Sequence, residues 1–182
     1  PDVAADGTRH IYIHDGDTIH LVSRGCANAP LAAGGVLGRS ANINFGASSW
    51  KDGRFPFAVS EDASRIYFVG NAGAANQLLL RKDALDPAEA ETVWVSRSEI
   101  NPGTGCAGVF VGANRDGSVA YFYCETALDE DHPGEDGLYR YDAETGDVQL
   151  IANHIAGTGG SSPAALVGQD RDATHIYFFS RR

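Results

Sequence analysis

Asp116-Gly117-Ser118-Val119-Ala120-Tyr121-Phe122 has two counterparts in the same chain. They are Asp62-Ala63-Ser64-Arg65-Ile66-Tyr67-Phe68 and Asp172-Ala173-Thr174-His175-Ile176-Tyr177-Phe178. The tyrosines stand 54 and 56 residues apart. A period of that length marks a repeat architecture. Repeat scaffolds host many unrelated activities, so the motif points to a fold before it points to a function.

An apolar stretch precedes each copy: Phe57-Ala58-Val59, Val109-Phe110-Val111 and Ala165-Leu166-Val167. The motif then opens on a polar turn, rich in Asp, Asn and Gly, which tolerate left-handed dihedrals and bond the local backbone. A β-branched and aromatic strand follows, so each unit reads as a hairpin. A second hairpin lies beyond a variable loop. Its clearest copy is Leu138-Tyr139-Arg140-Tyr141-Asp142-Ala143, the turn Glu144-Thr145-Gly146-Asp147, and Val148-Gln149-Leu150-Ile151. Gln77–Leu80 and Thr92–Val95 form a degenerate copy with a longer connection. No stretch carries helical periodicity over a useful length.

One repeat is therefore four short antiparallel strands in about 55 residues, a pattern that reads as a propeller blade. The predicted fold class is an all-β propeller of four-stranded antiparallel blades, about three blade equivalents in one chain. Ile11-Tyr12-Ile13-His14-Asp15 and Ile19-His20-Leu21-Val22 match a second hairpin, with Tyr12 at the place of Tyr139 and Asp15 at that of Asp142. A rival alignment sets Asp6-Gly7-Thr8 on the Asp-x-Ser turns and matches fewer positions. The expected organisation is a half blade at 1–23, an insertion loop at 24–52, blades at 53–100 and 107–152, and a half blade at 164–182. Three blades are too few for a closed ring of about four to eight. Either the chain is cut from a larger ring, or two copies form a homodimer in which each half blade completes the other's. Both ends read as those of a fragment or mature piece.

Composition excludes some partners. The 182 residues include 14 basic and 24 acidic side chains, a net charge of -10. Nucleic-acid binding calls for a basic face, and none is legible. An anionic membrane surface is disfavoured for the same reason, and no apolar run approaches the roughly 20 residues of a spanning helix.

Cys26, Cys106 and Cys124 form no metal-type pair. Counting back from the turn at Asn114–Gly117 sets Cys106 and Cys124 nearly opposite each other. In an oxidising compartment they would form a disulfide; otherwise they are two small buried thiols. The repeated Tyr and Phe residues read as packing between blades rather than as a stacking platform. His10, His14 and His20 read as hairpin histidines, although a metal site could draw on His10, His14 and a nearby Asp. The acidic run Asp129-Glu130-Asp131-His132-Pro133-Gly134-Glu135-Asp136 lacks EF-hand spacing. It reads as a solvated loop, or as a calcium site using Asp129, Asp131, Glu135 and Asp136. No other cofactor is expected. Gly157–Ser162 is neither a nucleophile elbow nor a phosphate loop. In the insertion, Phe45 and Trp50 are candidate ligand-binding aromatics; Trp50 anchors a partner or plugs the loop onto a blade.

The run Asp116–Tyr123 followed by Gly137-Leu138-Tyr139-Arg140-Tyr141-Asp142-Ala143-Glu144-Thr145-Gly146-Asp147 resembles the WD40-like repeat of TolB-type β-propellers. The resemblance spans nearly the whole chain apart from 24–52. It implies a bacterial exported or periplasmic protein with a binding or scaffold role, in some cases attached to a hydrolase domain. No active-site motif of that family is present to carry over. The expectation is thus a non-catalytic exported scaffold that binds a protein or other macromolecule through its loops. The alternative is an accessory propeller of a larger hydrolase whose catalysis lies outside this chain.

Overall fold

A computed structural model describes residues 10–31, 35–37, 57–71, 76–153, 166–170 and 172–178. Among these, every regular element is a β-strand, and every strand pair is antiparallel. β1 (Tyr12–Asp15) and β2 (Thr18–Leu21) form a two-stranded sheet. β3 (Gly35–Leu37), β4 (Arg65–Asn71), β5 (Asn76–Lys82) and β6 (Glu91–Trp94) form a four-stranded sheet in sequence order. β7 (Val109–Ala113), β8 (Val119–Cys124), β9 (Gly137–Asp142) and β10 (Val148–Asn153) form another. β11 (Leu166–Gln169) and β12 (Ile176–Phe178) form the last pair. No helix among the described residues is long and apolar enough to cross a membrane.

The period-two pattern explains the faces. Tyr67, Val69, Leu78 and Leu80 leave one face of the first four-stranded sheet and meet Phe110, Ala120, Phe122, Tyr139 and Tyr141 of the second. Ile66, Phe68 and Leu79 leave the other face and meet Val22 and Leu31, with Ile11 and Ile13 packed alongside. Each of Leu78, Leu79 and Leu80 is fully buried, and burial of a leucine contributes about 1.5–3 kcal/mol.

Two hydrogen bonds identify the first hairpin. Ser23 Oγ accepts the Ile11 N–H, and the Val22 N–H donates to the Ile11 carbonyl. Ser96 Oγ accepts the Leu78 N–H, and the Val95 N–H donates to the Leu78 carbonyl. β1–β2 therefore repeats the hydrogen-bond pattern of β5–β6.

The first edge strand departs from expectation. The apolar stretch Phe57-Ala58-Val59 is the sequence's candidate for it. Val59 makes a single bridge to Ile66, the counterpart of Ala113 opposite Ala120. Phe57 has a φ of +53°, which turns the backbone out of strand geometry. The rest of the edge is β3, with Val36 opposite Val69. The segment read as an insertion loop thus contributes a strand.

Candidate binding surface

The two ends of the sheets are built differently. At one end lie the Asp-x-Ser/Thr turns. The residue at position 60, 114 or 170 accepts, through its side chain, the backbone N–H five residues on, at Arg65, Val119 and His175. Asp62 and Asp116 accept the N–H of Ser64 and Ser118. Hydrogen bonds from Ser60 and Ser64 hold the Asp62 carboxyl down at about 2. The residue after each Asp is left-handed: Ala63 at +57°, Gly117 at +72° and Ala173 at +52°. That geometry turns its carbonyl toward the preceding repeat. The Tyr67 hydroxyl donates to the Gly117 carbonyl at 2.7 Å, and the Tyr121 hydroxyl to the Ala173 carbonyl at 2.7 Å. Arg65–Glu144 and Arg115–Glu61 ion pairs line the same end. Exposed pairs of this kind add little, about 0–1 kcal/mol.

The opposite end carries long connections, 95–108 and 125–136. Several fastenings hold them. The Cys106 and Cys124 sulfurs are bonded, with their Cα atoms 6.0 Å apart. Ser96 Oγ donates to the Cys106 carbonyl and accepts from Trp94 Nε1. The Glu99 N–H reaches the Leu128 carbonyl, joining the two connections, and the Glu99 carboxylate accepts the Val148 N–H. The Tyr139 hydroxyl donates to the Glu135 carbonyl at 2.7 Å and accepts the Leu128 N–H.

Asp129 is the centre of the second connection. It is only 5% exposed. Its carboxylate accepts the Leu150 N–H at 2.8 Å, the Asp131 N–H at 2.9 Å and His132 Nδ1 at 3.0 Å. Burial alone would raise its pKa; the three donors outweigh burial and hold it below the usual range. The same contact raises His132. Asp129 thus acts as a structural clamp, with its lone pairs directed at protein donors.

Of the candidate calcium ligands, Asp129 is buried and held by protein donors. Asp131 and Glu135 are exposed, Asp136 is half-buried, and no group of three His, Cys, Asp or Glu side chains among the described residues is placed to hold a metal. Asp136 lies instead beside Tyr123, whose phenol is pushed up to about 12 by burial, with the Asp136 and Glu125 charges adding to the shift. Of the three histidines, His10 Nδ1 meets Ser23 Oγ at 2.9 Å, on a serine that is fully buried. His14 is exposed and His20 buried. Phe45 and Trp50 lie outside the described residues.

What this end presents outward is a fixed surface. Ile100 is 46% exposed at the tip of its connection. Glu125, Glu130, Asp131 and Glu135 are exposed on the other. Sequence reasoning passed over Ile100, although an isoleucine flanked by Glu99 and Asn101-Pro102-Gly103 in a polar loop was the available signal. No family model, curated protein or solved structure matches this chain.

Proposed function

We propose that this chain is a non-catalytic, exported β-propeller module that binds a protein or other macromolecular partner through the connections 95–108 and 125–136. The observation that carries the reading is the fastening of those connections. A disulfide, the buried Asp129 carboxylate and the Glu99 cross-link hold an exposed isoleucine and several carboxylates in place. A pre-organised loop surface loses little entropy on binding. The four-stranded antiparallel sheets in sequence order support the blade reading. The disulfide supports an oxidising compartment. The net charge of -10 favours a partner with a basic face over nucleic acid.

The test is retention of proteins from the extracellular fraction of the source on the immobilised chain. A partner should be held by the unaltered chain and by Glu144→Lys at the turn end. Ile100→Asp, or the pair Glu130→Lys and Asp131→Lys, should release it. Equal retention by the loop variants, or no selective retention, would overturn the reading.

A further inference from the structure

We propose that β12 of one copy pairs with β1 of a second copy, and that the Tyr177 hydroxyl then donates to the Ala63 carbonyl of that second copy. The inference rests on the blade reading above and names a partner for it, the chain itself.

One contact recurs along the chain. Tyr67 reaches the turn of the next repeat at Gly117, and Tyr121 reaches the next at Ala173. Tyr177 occupies the same motif position and is 61% exposed, the most exposed large apolar side chain described. Ala63 occupies the acceptor position, in the same left-handed conformation as Gly117 and Ala173. A donor and an acceptor of one recurring bond therefore stand at opposite ends of the described sheets.

The strands around them are complementary as well. β1–β2 is equivalent to β5–β6, the second half of a four-stranded sheet. β11–β12 is equivalent to β7–β8, the first half: Gly168 faces Tyr177 as Gly112 faces Tyr121, each beside a register shift. In the complete sheet β8 pairs with β9, with Tyr121 opposite Arg140 and Phe122 opposite Tyr139. Setting Tyr12 at the place of Tyr139 puts Tyr177 opposite Ile13 and Ile176 opposite His14. Ile13 already packs beside Ile66 and Phe68, on the face from which Tyr177 would reach the Ala63 turn. Apolar exposure falls along the same seam: Tyr12 and Ile19 are each 37% exposed on the hairpin that would receive β12.

A twofold pair makes this seam twice. Two complete sheets from each copy plus two shared ones give a ring of six, within the usual range of about four to eight. The chain's own β1 cannot serve, because that would close a ring of three.

Sedimentation equilibrium on the full chain tests this, with far-UV circular dichroism as a check of folding. The expected mass is twice the 19.2 kDa of one chain. Tyr177→Phe should raise the dimer Kd about tenfold per seam, about a hundredfold for two. Tyr177→Asp should give a folded monomer, because the side chain is exposed within one copy. A folded monomer of the unaltered chain, or a dimer indifferent to Tyr177→Asp, overturns the inference. Partner retention by such a monomer would leave the loop-binding reading standing. A dimer that retains no partner would instead overturn that reading and leave the seam intact.

Discussion

Tyr67→Phe isolates the contact on which the repeat row depends. The ring is fully buried and stacked on Phe110 with centroids 5.3 Å apart, and phenylalanine keeps that packing. What is lost is the 2.7 Å bond to the Gly117 carbonyl. Burial pushes the phenol up, so the hydroxyl is a neutral donor throughout the working range. Removing one partner of a buried hydrogen bond costs about 1–3 kcal/mol. At 182 residues each kcal/mol moves Tm by about 2–4 °C, so a loss of about 1.5 kcal/mol lowers it by about 3–6 °C. Tyr141→Phe is the control. Tyr141 sits in the same core cluster, its phenol is pushed up to about 12 by burial, and its hydroxyl is buried with no hydrogen-bond partner among the described residues. Deleting an unsatisfied hydroxyl should leave stability unchanged or raise it. The assay is a thermal melt followed by far-UV circular dichroism, with the urea midpoint at constant m as a second reading. A Tyr67→Phe midpoint equal to that of the unaltered chain would refute the role assigned to the Tyr67–Gly117 bond.

Three further outcomes are expected. Replacing Cys106 and Cys124 by serine opens a loop of sequence separation 18 and should cost about 3 kcal/mol on the chain-entropy account; thiol titration of the unaltered, denatured chain should find only Cys26. The His132 pKa is raised by its bond to Asp129, so that contact contributes fully below about pH 6.5 and is lost as pH rises through the folded value. Asp129, held low, contributes above about pH 3.9 and loses its part as pH falls through its own folded value. An NMR titration should place the His132 midpoint above that of a free histidine and return it there in Asp129→Asn; an unmoved midpoint would discard the clamp. At the left-handed turn position, Ala63→Gly should be neutral or stabilising by about 1 kcal/mol. Gly117→Ala should destabilise by about 1–2 kcal/mol, since its Cβ would stand 2.9 Å from Arg65 Cβ. Thermal melts of the two would decide this.

The hairpins were legible because alternation and turn chemistry are local signals. Asp116-Gly117-Ser118 announces its turn, and the aromatic strand after it alternates cleanly. The left-handed state of Ala63 and Ala173 could have been read by aligning them with Gly117, the residue that adopts it at least cost. β3 was not legible. Three residues at a sheet edge, Gly35–Leu37, carry no period, and their pairing with β4 joins positions about thirty residues apart. The apolar run at Phe57–Val59 was the stronger local signal, and the φ of Phe57 limits it. Asp129 was read with its acidic neighbours because charge density is visible in one dimension. Its burial depends on the Leu150 N–H, 21 residues away across β9 and β10, which no local pattern records. Ile100 was missed for a related reason, since its exposure follows from loops that are fixed by bonds to other elements.

The most direct test of the account is a crystal structure of the chain grown from the associated species. Six four-stranded antiparallel sheets around one axis are expected, two of them shared between copies. Tyr177 would lie within hydrogen-bond distance of the neighbouring copy's Ala63 carbonyl, as Tyr67 lies 2.7 Å from that of Gly117. Sheets β3–β6 and β7–β10 closed into a two-layer sandwich, with Tyr177 open to solvent in every copy, would contradict it.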